Sequence, residues 1–173
     1  MFLIGIVLAS IASLVIVWWA VRGNIRPVHD IEEVRKFLQP IDLQSFQNLI
    51  DPAQDMYLRR RLTGRAFRMV QRARRVAAAE YLWRLAQNAG ILVRAGQCAR
   101  TAANAQVALA GRSLASVAVM TRVLALLALA RLSLGIAFPQ TTARCKPILD
   151  QYDVMTTMYM RLGLLWRSQR PAA

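Results

Sequence analysis

The chain has 173 residues, 56% of them hydrophobic, a mean hydropathy of +0.32 and a formal net charge of +14. It is too apolar for a disordered chain and too charged for a protein built of many membrane spans. Two cysteines, Cys98 and Cys145, are too few for a disulfide framework and are read as buried thiols.

Residues 1–21, MFLIGIVLASIASLVIVWWAV, hold no charged side chain. About 20 apolar residues match the ~30 Å hydrocarbon core of a bilayer. Trp18 and Trp19 fall where an aromatic belt belongs, and Arg22 and Arg26 follow. A cleaved signal peptide carries bases ahead of its apolar run and small residues before the cut. Here no base precedes the run, and a cut after Ala20 would put bulky Trp18 at the third position back. The expectation is an uncleaved, single-pass transmembrane helix. Its bases lie on the C-terminal flank, so the positive-inside rule puts Met1 outside and the remainder in the cytoplasm. The predicted organisation is an anchor over 1–21, a juxtamembrane linker and short helix over 22–40, and a helical bundle domain over 41–170.

Asp30 followed by Glu33 is a capping-box pattern and predicts a helix over 31–38, stopped by Pro40. Asp42 can cap a short helix through about Ile50. Asp51-Pro52 sets a cap before a first-turn proline and opens a helix through about Leu62. Thr63-Gly64 is a break and a new cap. From Arg65 to about Arg100 there is no proline, and Phe67, Val70, Ala77, Tyr81, Leu85, Leu92 and Ala99 share one stripe. Gly90 and Gly96 weaken the end of this helix. Another is predicted from about Ala102 to Phe138, with an interruption at Gly111, and residues 139–147 form a loop. The last helix starts at Pro147. Its apolar residues Ile148, Tyr152, Met155, Tyr159, Leu162 and Trp166 are spaced 4, 3, 4, 3, 4, a seam for packing inside the domain. Met155, Met158 and Met160 are read with that core. The predicted fold class is all-α: an N-terminal single transmembrane helix followed by a cytoplasmic antiparallel helical bundle of three long helices.

Residues 113–138 pose the question of a second span. Arg122 lies near the centre of that segment, and a central arginine costs about 2.5–3.5 kcal/mol on insertion scales. Arg131 points to the opposite side, so no single polar face protects both. The expectation is a core helix whose arginines snorkel to water.

The charge is patterned. Of 23 basic residues only Lys36 and Lys146 are lysine, and between Met56 and Leu149 the only acid is Glu80. A GC-rich genome explains a high Arg:Lys ratio but not the scarcity of acids. Residues 57–75, YLRRRLTGRAFRMVQRARR, hold eight arginines and no acid. Arg65, Arg68, Arg72 and Arg75, spaced 3, 4, 3, make a basic ridge on one helix face, extended by Arg59, Arg60 and Arg61 in the preceding turn. Arg74 instead projects into the apolar stripe. Its expected surroundings are either Asp150 or Asp153 on the last helix, or water at the end of the bundle. Three readings of the ridge compete: a solvated face, contact with anionic lipid headgroups or an acidic protein, and nucleic acid. Aromatics are not interleaved as stacking platforms, and no helix-turn-helix, zinc finger or RNA-binding signature accompanies the bases.

Catalysis needs convergent titratable groups. There is one histidine, His29, in the linker, and Asp30, Asp42 and Asp51 sit at helix starts. Glu32 and Glu33 match Arg35 and Lys36 as surface pairs, and Glu80 matches Arg84 four residues on. No metal-binding, phosphate-loop or dinucleotide motif occurs, so no cofactor and no enzyme is expected. The functional expectation is a membrane-anchored helical adaptor or structural protein, its ridge facing anionic lipid or an acidic partner. The alternative is a membrane-tethered, non-specific nucleic-acid binder.

Overall fold

The computed structural model describes residues 31–137 and 146–168. The predicted anchor, the linker to Asp30, His29, Cys145 and most of the 139–147 loop lie outside the described residues. Among those described, every regular element is helical: α1 (Ile31–Phe37), α2 (Leu43–Ile50), α3 (Pro52–Arg61), α4 (Gly64–Arg100), α5 (Ala105–Ala137) and α6 (Lys146–Arg167).

The short helices begin where local chemistry starts them. Asp42 accepts hydrogen bonds from the Gln44 and Ser45 amides, both at 3.0 Å, and from the Ser45 hydroxyl at 2.6 Å. These bonds, the Ser45 hydroxyl's foremost, hold its carboxyl below the usual range. Asp51 caps α3 through the Ala53 amide at 2.9 Å, with Pro52 in the first turn. Such a cap is worth about 1 kcal/mol. Between α3 and α4 the chain is extended at Leu62 and Thr63. Thr63 precedes α4 without a side-chain cap bond.

α4 and α5 share the most extensive interface, α5 then packs on α6, and α1, α2 and α3 lie against α4. The second long helix starts later than the expected Ala102: the connection is 101–104 and α5 starts at Ala105. The pair is antiparallel and very close. A Cβ on Gly96 would meet the Gly111 carbonyl oxygen at 2.6 Å and the Ala115 nitrogen at 2.7 Å. A Cβ on Gly111 would meet the Ala99 Cβ at 2.7 Å and the Gly96 carbonyl oxygen at 2.8 Å. The predicted interruption at Gly111 is therefore corrected: α5 runs through it unbroken. Both glycines serve backbone-to-backbone contact between helices and do not end them. Alanines continue the seam at Ala89, Ala95, Ala99, Ala118 and Ala125, all buried.

The α4 stripe is also corrected. Leu85, Leu92 and Ala99 are buried as expected, but Phe67, Val70, Ala77 and Tyr81 are only half-buried. Ala78, Leu82, Ala86 and Ala89 are buried instead. They lie roughly 90° further round the helix, where α5 packs. The expected stripe faces the short helices; Tyr81, for example, stacks on Phe46 of α2 at 5.5 Å. On α6 the expected seam is buried at Ile148, Tyr152, Met155 and Leu162. This helix begins one residue earlier than expected, at Lys146.

α5 is long and apolar enough over Ala105–Leu132 to cross a membrane, and about a third of its most apolar stretch is buried. Arg112 and Arg131 are exposed and Arg122 is half-buried.

Candidate functional site

The ridge falls on two elements joined at the Leu62–Thr63 break. Arg59, Arg60 and Arg61 occupy the last turn of α3. Arg65, Arg68, Arg72 and Arg75 occupy the first turns of α4. Six of the seven are exposed; Arg75 is half-buried and engaged. The Arg61 guanidinium lies 4.9 Å from the centre of the Tyr57 ring. Arg59, Arg60, Arg65, Arg68 and Arg72 have no carboxylate partner among the described residues. Their charge is directed to solvent.

Arg74 sits apart from the ridge, and its partner differs from both expectations. Asp150 and Asp153 are exposed on α6. Arg74 instead donates from Nη2 to the carbonyl oxygens of Asn48, at 2.9 Å, and Leu49, at 3.1 Å. Its Nε is 3.6 Å from Asp55. The guanidinium thus closes the carbonyl end of α2 and ties α3 to α4. Gln71 supports the arrangement with a long bond to Asp55 at 3.5 Å. Asp55, the acid of α3, is thus engaged by Arg74 and Gln71. Glu80 pairs with Arg84 across one helical turn, as its spacing implies.

A second polar feature was not legible in sequence. Asn88 is fully buried at the middle of α4. Its Nδ2 donates to the Gln39 carbonyl at 2.8 Å and to the Tyr152 hydroxyl at 3.1 Å. Its Oδ1 accepts from the Gln39 amide at 2.9 Å. Burial raises the Tyr152 phenol above its ordinary range, against a smaller opposing effect of the Asn88 bond. Among the described residues, Tyr152 is the titratable group in this set of hydrogen bonds. Across the described residues no three His, Cys, Asp or Glu side chains converge. Cys98, expected to be buried, is half-buried near the end of α4.

Comparison with protein-family models, with curated proteins and with solved structures finds no match.

Proposed function

We propose that the protein is a membrane-anchored helical adaptor that acts by binding. In this reading residues 1–21 span the bilayer with Met1 outside, and the helices that follow form a cytoplasmic antiparallel bundle. Its ridge, Arg59–Arg61 with Arg65, Arg68, Arg72 and Arg75, faces anionic lipid headgroups or an acidic protein. One observation carries the proposal: the exposed guanidinium groups of Arg59, Arg60, Arg65, Arg68 and Arg72 have no carboxylate partner among the described residues, in a chain with an uncharged run of bilayer length at residues 1–21. A basic residue near an anionic surface contributes about 1 kcal/mol, and tethering the domain removes the cost of finding that surface. The scatter of its titratable groups supports binding over catalysis.

Sedimentation of a protein lacking residues 1–24 with anionic vesicles, beside retention on duplex DNA at matched salt, tests this. The deletion leaves all six described helices in place. The proposal expects preferential, salt-sensitive binding to the vesicles. Tighter retention on DNA would favour the nucleic-acid reading. A C-terminal reporter on the full chain should be active in the cytoplasm; activity on the other side would overturn the orientation.

A further inference from the structure

The outer surface of α4 carries a second pattern beside the arginines. Met69, Val76 and Trp83 recur every seven residues and are 72%, 55% and 47% exposed. At about 100° per residue they form one file along the helix, drifting about 20° at each step. This file lies about 150° from the α5-facing seam around Ala89 and Gly96, and well away from Gln71 and Arg74, which face α3 and α2. Arg65 and Arg72 border it on one side, with Arg68 and Arg75 beyond them. The exposed Glu80–Arg84 pair borders the other. An apolar file with Trp at one end and arginines along its edge is the pattern of a helix lying in a membrane interface.

The chain's course sets the orientation this requires. Gln39 is held at Asn88, Phe46 stacks on Tyr81, and the Asn48 carbonyl meets Arg74. The polypeptide therefore descends along α4 from its middle towards its start. Arg68 is 20 residues before Asn88, about 30 Å along the helix axis. If α4 stood upright on the anchor, the ridge would be at least that far from the lipid. With α4 lying along the surface, the row from Arg65 to Arg75, about 15 Å along the helix, meets the headgroups together. The linker, residues 22–30, spans at most about 30 Å and permits this.

We infer that α4 lies parallel to an anionic bilayer, with Met69, Val76 and Trp83 inserted at the headgroup–acyl boundary and the flanking arginines on lipid phosphates. The inference rests on the lipid form of the proposed function. A second copy of the chain packed antiparallel on the file fits poorly, because Arg65 and Arg72 would lie along the same edge as its own arginines. A soluble partner helix fits less well too: three side chains in single file fall short of the roughly 800 Å² per partner of a stable interface.

The test uses the full chain reconstituted in vesicles, with Cys98 and Cys145 replaced by alanine. An environment-sensitive nitrobenzoxadiazole label is attached at Met69→Cys, Val76→Cys or Trp83→Cys, with Thr157→Cys, exposed on α6, as reference. Nitroxide quenchers are placed on the headgroup or on shallow acyl carbons, in vesicles of phosphatidylglycerol with phosphatidylcholine or of phosphatidylcholine alone. The expected result is quenching by both probes at the three α4 positions, severalfold above the reference, and its loss in phosphatidylcholine alone. Quenching by the headgroup probe only would overturn insertion and leave the ridge on lipid. Quenching by neither would overturn the insertion and the lipid reading together.

Discussion

Asn88 clasps both backbone polar groups of Gln39, 49 positions earlier in the chain, with its amide 2.9 Å from the Gln39 nitrogen and 2.8 Å from its oxygen. The amide side chain plays the part of a neighbouring backbone strand, and the spare Nδ2 proton goes to Tyr152. One residue thereby joins the segment after α1, the middle of α4 and α6. Gln39 reinforces the clasp from outside through Gln87 at 2.9 Å.

Asn88→Leu should cost about 2–3 kcal/mol, since it strips partners from the part-buried Gln39 amide and carbonyl. Tyr152→Phe should cost about 1 kcal/mol, because it removes a single neutral bond. Urea denaturation midpoints check the ranking. Equal losses would mean that the clasp on Gln39 contributes little.

Glycines in the helices should respond with opposite signs. Gly96→Ala and Gly111→Ala each add a methyl where backbone atoms lie under 3 Å away, so each should destabilise by about 1–3 kcal/mol despite alanine's better helix propensity. Around Gly163 nothing lies within 4 Å, and Gly163→Ala should stabilise by up to about 1 kcal/mol. Thermal unfolding of the three variants reads these signs directly.

Arg74→Gln should separate stability from binding. It removes the bonds to the Asn48 and Leu49 carbonyls and the ion pair with Asp55, at a cost of about 1–2 kcal/mol. Vesicle binding should be nearly unchanged, because this guanidinium faces α2 and not solvent. A loss of binding without a loss of stability would place Arg74 on the ridge.

Tyr152 gives the fold a limit on the alkaline side. Its folded pKa is raised, chiefly by burial, so its contribution is complete below the unfolded value of about 10 and is lost as pH rises through the folded value. Helicity followed on alkaline titration should fall above that range, and Tyr152→Phe should delay the fall.

Local chemistry was the legible part of this fold. Asp42 and Asp51-Pro52 announce two helix starts because a cap acts within three residues. The α6 seam from Ile148 to Leu162 was legible because one periodic face packs in one direction. What depends on a distant segment was not. Gly96 and Gly111 look like weak points until a second helix presses its backbone on them. Asn88 resembles any polar residue in a long helix until Gln39 arrives. Arg74 was visible as an anomaly, but the acid nearest in the fold, Asp55, lies on a short helix and not on α6. The ridge was placed by spacing alone, since 3, 4, 3 fixes a face. The file of Met69, Val76 and Trp83 was not, because an exposed apolar side chain and a core one are the same letter in a sequence.

The most direct measurement is lipid binding by a variant with Arg65, Arg68 and Arg72 replaced together by glutamine, in the protein lacking residues 1–24. These three are the exposed members of the α4 row, and glutamine is a good helix former, so circular dichroism should not change. At ~1 kcal/mol for each base, affinity for anionic vesicles at low salt should fall roughly a hundredfold, and the parent's binding should weaken as salt is added. Equal binding by variant and parent would contradict the account and leave the ridge as a solvated face.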